Sequence, residues 1–272
     1  MEIGPLLELD QVRFAYRGGA SALDGVSLSV APGDCVALLG ANGAGKTTAL
    51  RLAMALLHPS AGDVRVLGRS TRGRMPEDLA GEAGYLFQQP EHQLFAGSVA
   101  EDVAFGPRRR HDADVESAVA SALDALELGD ARAVHPYDLP APRRRLVALA
   151  GVLALRPRLL LLDEPTAGLD RASRRLVRRV VARHRDAGGA VLAVSHDPEF
   201  VLETLDRAVI LEQGRIVAES TVAEALGRAG APPLPPWARI AKELGAPPDA
   251  WRFDAAAEFV AARCRERPHG AS

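Results

Sequence analysis

Gly40-Ala41-Asn42-Gly43-Ala44-Gly45-Lys46-Thr47 is the stretch on which the reading of this 272-residue chain turns. Gly40, Gly45, Lys46 and Thr47 fill the fixed positions of a phosphate-binding loop, in which backbone N–H groups cradle phosphates. The lysine is informative by contrast, because it is the only one in the first 241 residues, where every other strong base is arginine. A compact ammonium on a flexible stem follows β- and γ-phosphates in a way that a planar guanidinium fork does not. The stretch therefore implies a bound nucleoside triphosphate. The expected cradle is the backbone from Asn42 through Gly43, Ala44, Gly45, Lys46 and Thr47 to Thr48, at the positive end of the following helix. The Thr47 hydroxyl is expected on Mg²⁺.

The flanks supply the context that such a loop needs. Residues 36–39 form a short apolar run of the kind found in a strand buried on both faces. Residues 47–58 read as a helix stopped by Pro59. Further out, 7–16 and 26–30 read as alternating strands with a Gly18-Gly19 turn between them. Residues 159–162 are a second apolar strand. A helix over 171–185 ends at Gly188-Gly189, 190–194 is a strand, and 209–217 is a hairpin turning at Gln213-Gly214. The segment 89–157 differs in texture, with Val115, Val119, Leu123 and Leu126 on one side of a helix. The expected fold is thus α/β, a P-loop NTPase with a mixed sheet core and an inserted helical subdomain over about 89–157. An ATPase unit spans 1–227. A small extension over 228–272 opens on a proline-rich stretch (Pro232, Pro233, Pro235, Pro236) and holds helices near 237–244 and 255–265.

Composition narrows the classes. The 47% apolar content supports a real core, and the 4% aromatic content shifts packing onto Leu, Val and Ala. A formal charge of -2 argues against a general nucleic-acid binder, which carries a strong positive excess. Cys35 and Cys264 lack metal spacing. The start Met1-Glu2-Ile3-Gly4-Pro5 does not read as a signal peptide. No apolar run approaches the roughly 20 residues that span a bilayer, so a role at a membrane is expected through partners.

The second half of the expected site is Asp163-Glu164, at the end of the strand over 159–162. Asp163 would hold the magnesium and Glu164 would polarise the attacking water. His196, after the strand over 190–194, is a candidate sensor of the γ-phosphate. Gln88, following Tyr85-Leu86-Phe87, is placed to reach the metal's water. Tyr16, an aromatic immediately before a turn, is a candidate to stack on adenine.

Over residues 7 to about 220 these motifs resemble the ATP-binding subunit of an ABC transporter. The resemblance implies that Tyr16 is the adenine-stacking position, Gln88 the Q-loop glutamine, Glu164 the catalytic base, Ala167-Gly168-Leu169-Asp170 the D-loop and His196 the switch histidine. More narrowly, Phe87-Gln88-Gln89-Pro90-Glu91-His92-Gln93-Leu94-Phe95, continued by Glu101-Asp102-Val103-Ala104-Phe105-Gly106-Pro107, is similar to the energy-coupling factor ATPases. Those subunits power vitamin and cobalt or nickel uptake, and many carry a C-terminal extension that pairs two ATPases. The resemblance implies ATP and Mg²⁺ as cofactors and a location at the cytoplasmic face of the cell membrane. It implies as partners a second ATPase, a transmembrane scaffold and a substrate-binding membrane subunit, and no nucleic acid.

One motif departs from the pattern. ABC ATPases close head to tail, with ATP held between the phosphate loop of one subunit and the LSGGQ signature of the other. Here the matching residues are Leu139-Pro140-Ala141-Pro142-Arg143. The serine hydroxyl is gone and both glycines are replaced, one by a proline with no N–H to donate. Each charge-assisted donor lost there is worth about 1.5–3 kcal/mol. The defective signature faces the partner's phosphate loop, so the expectation is an asymmetric heterodimer in which another subunit supplies an intact signature. Exporter-type ABC ATPases and soluble, non-transport ABC proteins are the competing classes. Both are disfavoured, by the Gln93-Leu94-Phe95 context and by the lack of a second fused ATPase unit, respectively.

Overall fold

The structure, a computed structural model, describes residues 4–228 and 233–266. Met1-Glu2-Ile3, Pro232 of the proline-rich stretch and the last six residues of the expected extension lie outside the described residues. In chain order the strands and helices begin with β1 (Leu7–Ala15), β2 (Ser21–Val30), β3 (Cys35–Leu39), α1 (Lys46–Ala53), β4 (Ala61–Val66), β5 (Arg69–Ser70) and β6 (Ala83–Leu86). Three helices follow, α2 (Val99–Arg109), α3 (Val115–Ala125) and α4 (Ala141–Ala154). The chain then runs through β7 (Leu159–Asp163), α5 (Arg171–Asp186), β8 (Ala190–Val194), α6 (Pro198–Thr204), β9 (Arg207–Glu212), β10 (Arg215–Thr221) and α7 (Val222–Leu226). It closes with α8 (Pro236–Glu243) and α9 (Phe253–Glu266).

The strands form two sheets. One is antiparallel, in the order β2-β1-β4-β5, and the other has the order β10-β9-β3-β8-β7-β6. In the second sheet β6, β7, β8, β3 and β9 pair in parallel, and only β10 runs antiparallel, to β9. All five residues of β3, β7 and β8 are buried, and the period of two sorts them between two cores. Val36, Leu38, Leu159, Leu161, Ala190 and Leu192 face the antiparallel sheet and α1, while Cys35, Ala37, Leu160, Leu162, Val191 and Ala193 face the layer of helices. This two-sided burial explains why those stretches read as continuous apolar runs. Burial pushes the Cys35 thiol up to about 12, helped by the nearby Asp206 carboxylate, so this cysteine is an unreactive core residue.

Two elements differ from the sequence expectation. The helix expected over 47–58 stops at Ala53 because Ala55 takes φ +55°. Its N–H donates to the Leu52 carbonyl at 3.1 Å and that of Leu56 to Arg51 at 2.9 Å, a Schellman cap with alanine where glycine is usual. The strand expected over 26–30 begins at Ser21, because β1 and β2 stay paired across register shifts between Val12 and Arg13 and between Phe14 and Ala15. The hairpin turn at Gln213-Gly214 has φ +47° and +77°, as a type I′ turn requires.

The C-terminal helices dock through specific contacts. Trp251 is buried and donates its indole N–H to the Ala246 carbonyl at 3.1 Å. Arg252 reaches the Leu205 carbonyl at 2.9 Å and Asp206 at 2.7 Å, and Glu203 accepts the Phe253 N–H at 2.7 Å. Among the described residues no helix is long and apolar enough to cross a membrane.

Candidate functional site

The loop after β3, Asp163 at the end of β7, and Ser195-His196 after β8 lie at the carboxyl ends of neighbouring parallel strands, where open α/β sheets place their ligand sites. Two glycines are required by contact as well as conformation. A Cβ on Gly40 would sit 2.1 Å from the Leu211 carbonyl oxygen, and one on Gly45 would sit 2.3 Å from that of Ala22. Gly45, at φ +106°, is the N-cap of α1, so the turn delivers Lys46, Thr47 and Thr48 into the first helical turn with their N–H groups unclaimed by the helix. One amide of the expected cradle is already engaged: the Ala44 N–H donates to the Ala41 carbonyl at 3.2 Å.

Lys46 is buried and folds back over its own loop, donating to the Gly40 carbonyl at 2.7 Å and the Ala41 carbonyl at 2.9 Å. Burial lowers its pKa, against the pull of Glu164 and Asp163. The Thr47 hydroxyl donates to Asp163 Oδ2 at 2.8 Å, and the Tyr85 hydroxyl approaches the same oxygen at 3.4 Å. Burial raises the Asp163 pKa, with the Thr47 bond working the other way. This all-oxygen pair suits a hard cation such as Mg²⁺. Across the loop the Tyr16 and Thr48 hydroxyls lie 3.2 Å apart in one hydrogen bond, and the Tyr16 ring stands edge-on to Phe14.

Glu164 has φ +53°, and burial raises its carboxyl pKa. Its N–H donates to the Val194 carbonyl at 2.8 Å, and its Oε2 accepts the His196 N–H at 3.1 Å. The imidazole Nε2 of His196, on a half-exposed side chain, lies 3.6 Å from Oε1. Gln88 is exposed and, with Arg51, Tyr85 and Asp163, lines a cavity of about 390 Å³. A larger cleft of about 1000 Å³ opens beside Gly40, Ala41, Asn42, Gly43, Ser195 and His196.

The segment 139–143, expected at the signature position, leads into α4. Pro140 caps the helix and Pro142 lies in its first turn, so two of the backbone donors of an ordinary helix start do not exist. Arg143 does not replace them, because it grips Asp130 through both Nη atoms, at 2.9 and 2.5 Å. Arg144 donates to the Leu139 carbonyl at 3.2 Å and lies over the Tyr137 ring. Arg145 reaches across the molecule to the Glu164 carbonyl at 2.9 Å and the Gln88 carbonyl at 3.1 Å. Sequence reasoning missed this bridge and the Tyr85 hydroxyl. Only the register of Tyr85 against Leu161 in the parallel sheet brings that hydroxyl to Asp163.

Fold and loop together define a P-loop nucleotide-binding protein. The chain belongs to the ABC transporter family, whose pattern it matches over residues 23–167. It is 38% identical over 227 residues to the cobalt import ATP-binding protein CbiO of Rhodobacter capsulatus, covering 82% of this chain and 81% of that one. Its fold superposes on CbiO1 of Clostridium perfringens, part of the ABC transporter complex cbiONQ, with a TM-score of 0.75 at 26% identity, covering 89% and 94% of the two chains. Other curated relatives are much longer. At 35% identity the chain spans 37% of an ABC transporter ATP-binding protein of Caldanaerobacter subterraneus and 40% of one of Methanosarcina acetivorans.

Proposed function

We propose that this chain hydrolyses ATP to power uptake through an energy-coupling factor transporter, as one half of an asymmetric ATPase heterodimer. The observation that carries the reading is the contrast within one polypeptide: Lys46, Thr47, Asp163, Glu164 and His196 converge, whereas the signature has lost its donors. In this reading residues 1–227 are the ATPase unit, 89–157 its helical subdomain, and 228–272 an extension that pairs the two ATPases.

The phosphates of ATP rest on the amides of 42–48, Lys46 turns from its own loop carbonyls to the β- and γ-phosphates, and Tyr16 stacks on adenine. Thr47 and Asp163 would hold Mg²⁺, with Gln88 placed to reach its water, and the ion would supply neutralisation of phosphate charge. Glu164, its carboxyl tuned upward by burial, takes the proton from the attacking water. His196 orients that water and senses the γ-phosphate. The partner's signature closes the site, because this chain's own signature faces the other nucleotide.

A membrane scaffold suits the groove beside α2 and α4. Phe95 and Phe105 meet edge-on there with 63% and 46% of their surface exposed, over a cavity of about 260 Å³. Asp102 lines the same groove, buried, its Oδ1 accepting the Phe95 and Ala96 N–H groups and its Oδ2 without a partner among the described residues. A short scaffold helix with apolar anchors and one basic side chain satisfies all three. The substrate-binding membrane subunit then carries the cargo specificity, and the ATPases sit peripherally at the cytoplasmic face.

The decisive measurement is MgATP turnover of the purified chain alone and of the assembly captured from membranes through a tag on it. Turnover is expected only in the assembly, which should contain a second ATPase and integral membrane subunits. Brisk turnover by the chain alone overturns the heterodimer. Co-purification with ribosomes or DNA overturns transport.

A further inference from the structure

Glu164 occupies a conformation that its residue type does not choose. A non-glycine residue at φ +53° is held above the right-handed alternative, and it persists only where the surroundings over-determine it. Three of its groups are tied. Its N–H is held by Val194 and its carboxylate by the His196 N–H, both from the β8 side. Its carbonyl accepts from Arg145 Nη1 at 2.9 Å and from the Ala167 N–H at 3.2 Å, and Nη2 of the same guanidinium holds the Gln88 carbonyl at 3.1 Å. One rigid, planar fork thus spans two segments 76 residues apart in the chain and fixes the spacing between them.

Resting on the reading of Glu164 as the base, we propose that Arg145 is the positioning residue of this site. It holds the Glu164 backbone in its left-handed turn and carries the position of the Gln88 segment to it. Its own location adds to this role. Arg145 lies one turn inside α4, whose start holds the expected signature position and whose Val147, Ala148 and Val152 line the groove with Phe95 and Phe105. Displacement of α4 by anything docked at its start or along that groove moves the guanidinium, and through it the two carbonyls. Arg145 touches no nucleotide in this account. It acts through Glu164.

That separation sets the test, made on the membrane-captured assembly with MgATP. Arg145→Ala is expected to lower kcat about 10- to 100-fold, the cost of misplacing a reacting group by about an ångström, with the KM for ATP within about threefold. Arg145→Lys, keeping the charge but not the fork, is expected to recover part of the loss. In a Glu164→Gln background Arg145→Ala is expected to lower residual turnover no further, since two residues acting as a unit are not additive. Melting of each variant without nucleotide checks that it folds. A kcat within twofold of the unsubstituted assembly overturns the proposal, as do equal losses in kcat and KM, or losses that multiply in the double variant. Failure of the unsubstituted assembly to turn over ATP overturns both this inference and the hydrolytic reading, whereas turnover indifferent to Arg145 removes this inference alone.

Discussion

The phosphate-loop end and the signature end of this molecule treat polar groups in opposite ways. At the phosphate loop they are buried and held in states costly to maintain: a lysine folded onto carbonyls, two carboxyls pushed upward by burial, a glutamate at positive φ. At the signature Arg143 is paired to Asp130, Arg144 is set over Tyr137 with its Nε buried and, among the described residues, without a hydrogen-bond partner, and prolines stand where donors would. Polar groups held ready for a ligand mark a site that acts, and side chains committed to contacts within their own chain have little to offer one. The difference teaches that the missing donors at 139–143 are not made good locally, since Arg143, the one arginine within that motif, is committed to its own chain.

The largest effect that tests this contrast lies at the loop end. Glu164→Gln is expected to cut turnover of the assembly by about 10² to 10⁴, the range of a general base, while leaving ATP binding measurable by filter retention. A variant that still turns over at a tenth of the normal rate would remove Glu164 from the chemistry and erase the asymmetry. Next comes repair of the inert end. Restoring Pro140→Ser, Ala141→Gly and Pro142→Gly together returns a hydroxyl and two backbone N–H donors. One charge-assisted bond worth about 1.5 kcal/mol corresponds to about tenfold, so turnover of the chain alone is expected to rise at least that much. An unchanged rate would mean that the defect lies elsewhere than in missing donors.

A smaller effect separates sequence from conformation at the same surface. Asp130→Ala frees the Arg143 guanidinium without adding a backbone donor. Turnover of the chain alone is expected to change less than about threefold, because a flexible side chain is not the preorganised amide pair that stabilises developing charge. A gain matching that of the triple repair would show that Arg143 had been an adequate substitute held captive.

How far the sequence carried depends on the kind of interaction. The loop over 40–47, the apolar runs of β3, β7 and β8 and the Gln213-Gly214 hairpin were legible because each is a local pattern with a local cause. The end of α1 was not, since Ala55 adopts the left-handed cap without the glycine that announces one. At the site, the meeting of Thr47 with Asp163, 116 residues apart, followed from two motifs with an established mutual geometry. The Arg145 bridge and the capture of Arg143 by Asp130 had no such motif. The bridge arises from how α4 lies against the ends of β6 and β7, and the capture from the turn after α3 that sets Asp130 beside the start of α4, whereas an arginine triplet in sequence reads equally well as a solvated face.

The smallest expected effect concerns stability, and its sign distinguishes the two ends. Burial raises the pKa of Asp163 and Glu164 in the folded chain, so over a range above their ordinary values of about 4 the folded state binds more protons than the unfolded one. Stability of the nucleotide-free protein from this source is then fully present below the ordinary carboxylate range and lost as pH rises through the raised pKa values. At the signature end the Arg143 guanidinium holds the Asp130 carboxyl below its usual value, and away from that end, between β2 and β10, Arg215 does the same for Asp24. Their contribution has the reverse sign, present above the ordinary value and lost as pH falls through the depressed one. Melting temperature against pH is therefore expected to fall on both sides of a maximum in mildly acidic solution. Glu164→Gln should flatten the descending limb and raise the neutral-pH melting temperature, whereas Asp130→Asn should alter only the acid limb. If Glu164→Gln instead lowered stability at neutral pH, the carboxylate would be a stabilised partner of His196 rather than a strained group awaiting a ligand, and the contrast between the two ends would fail at its central residue.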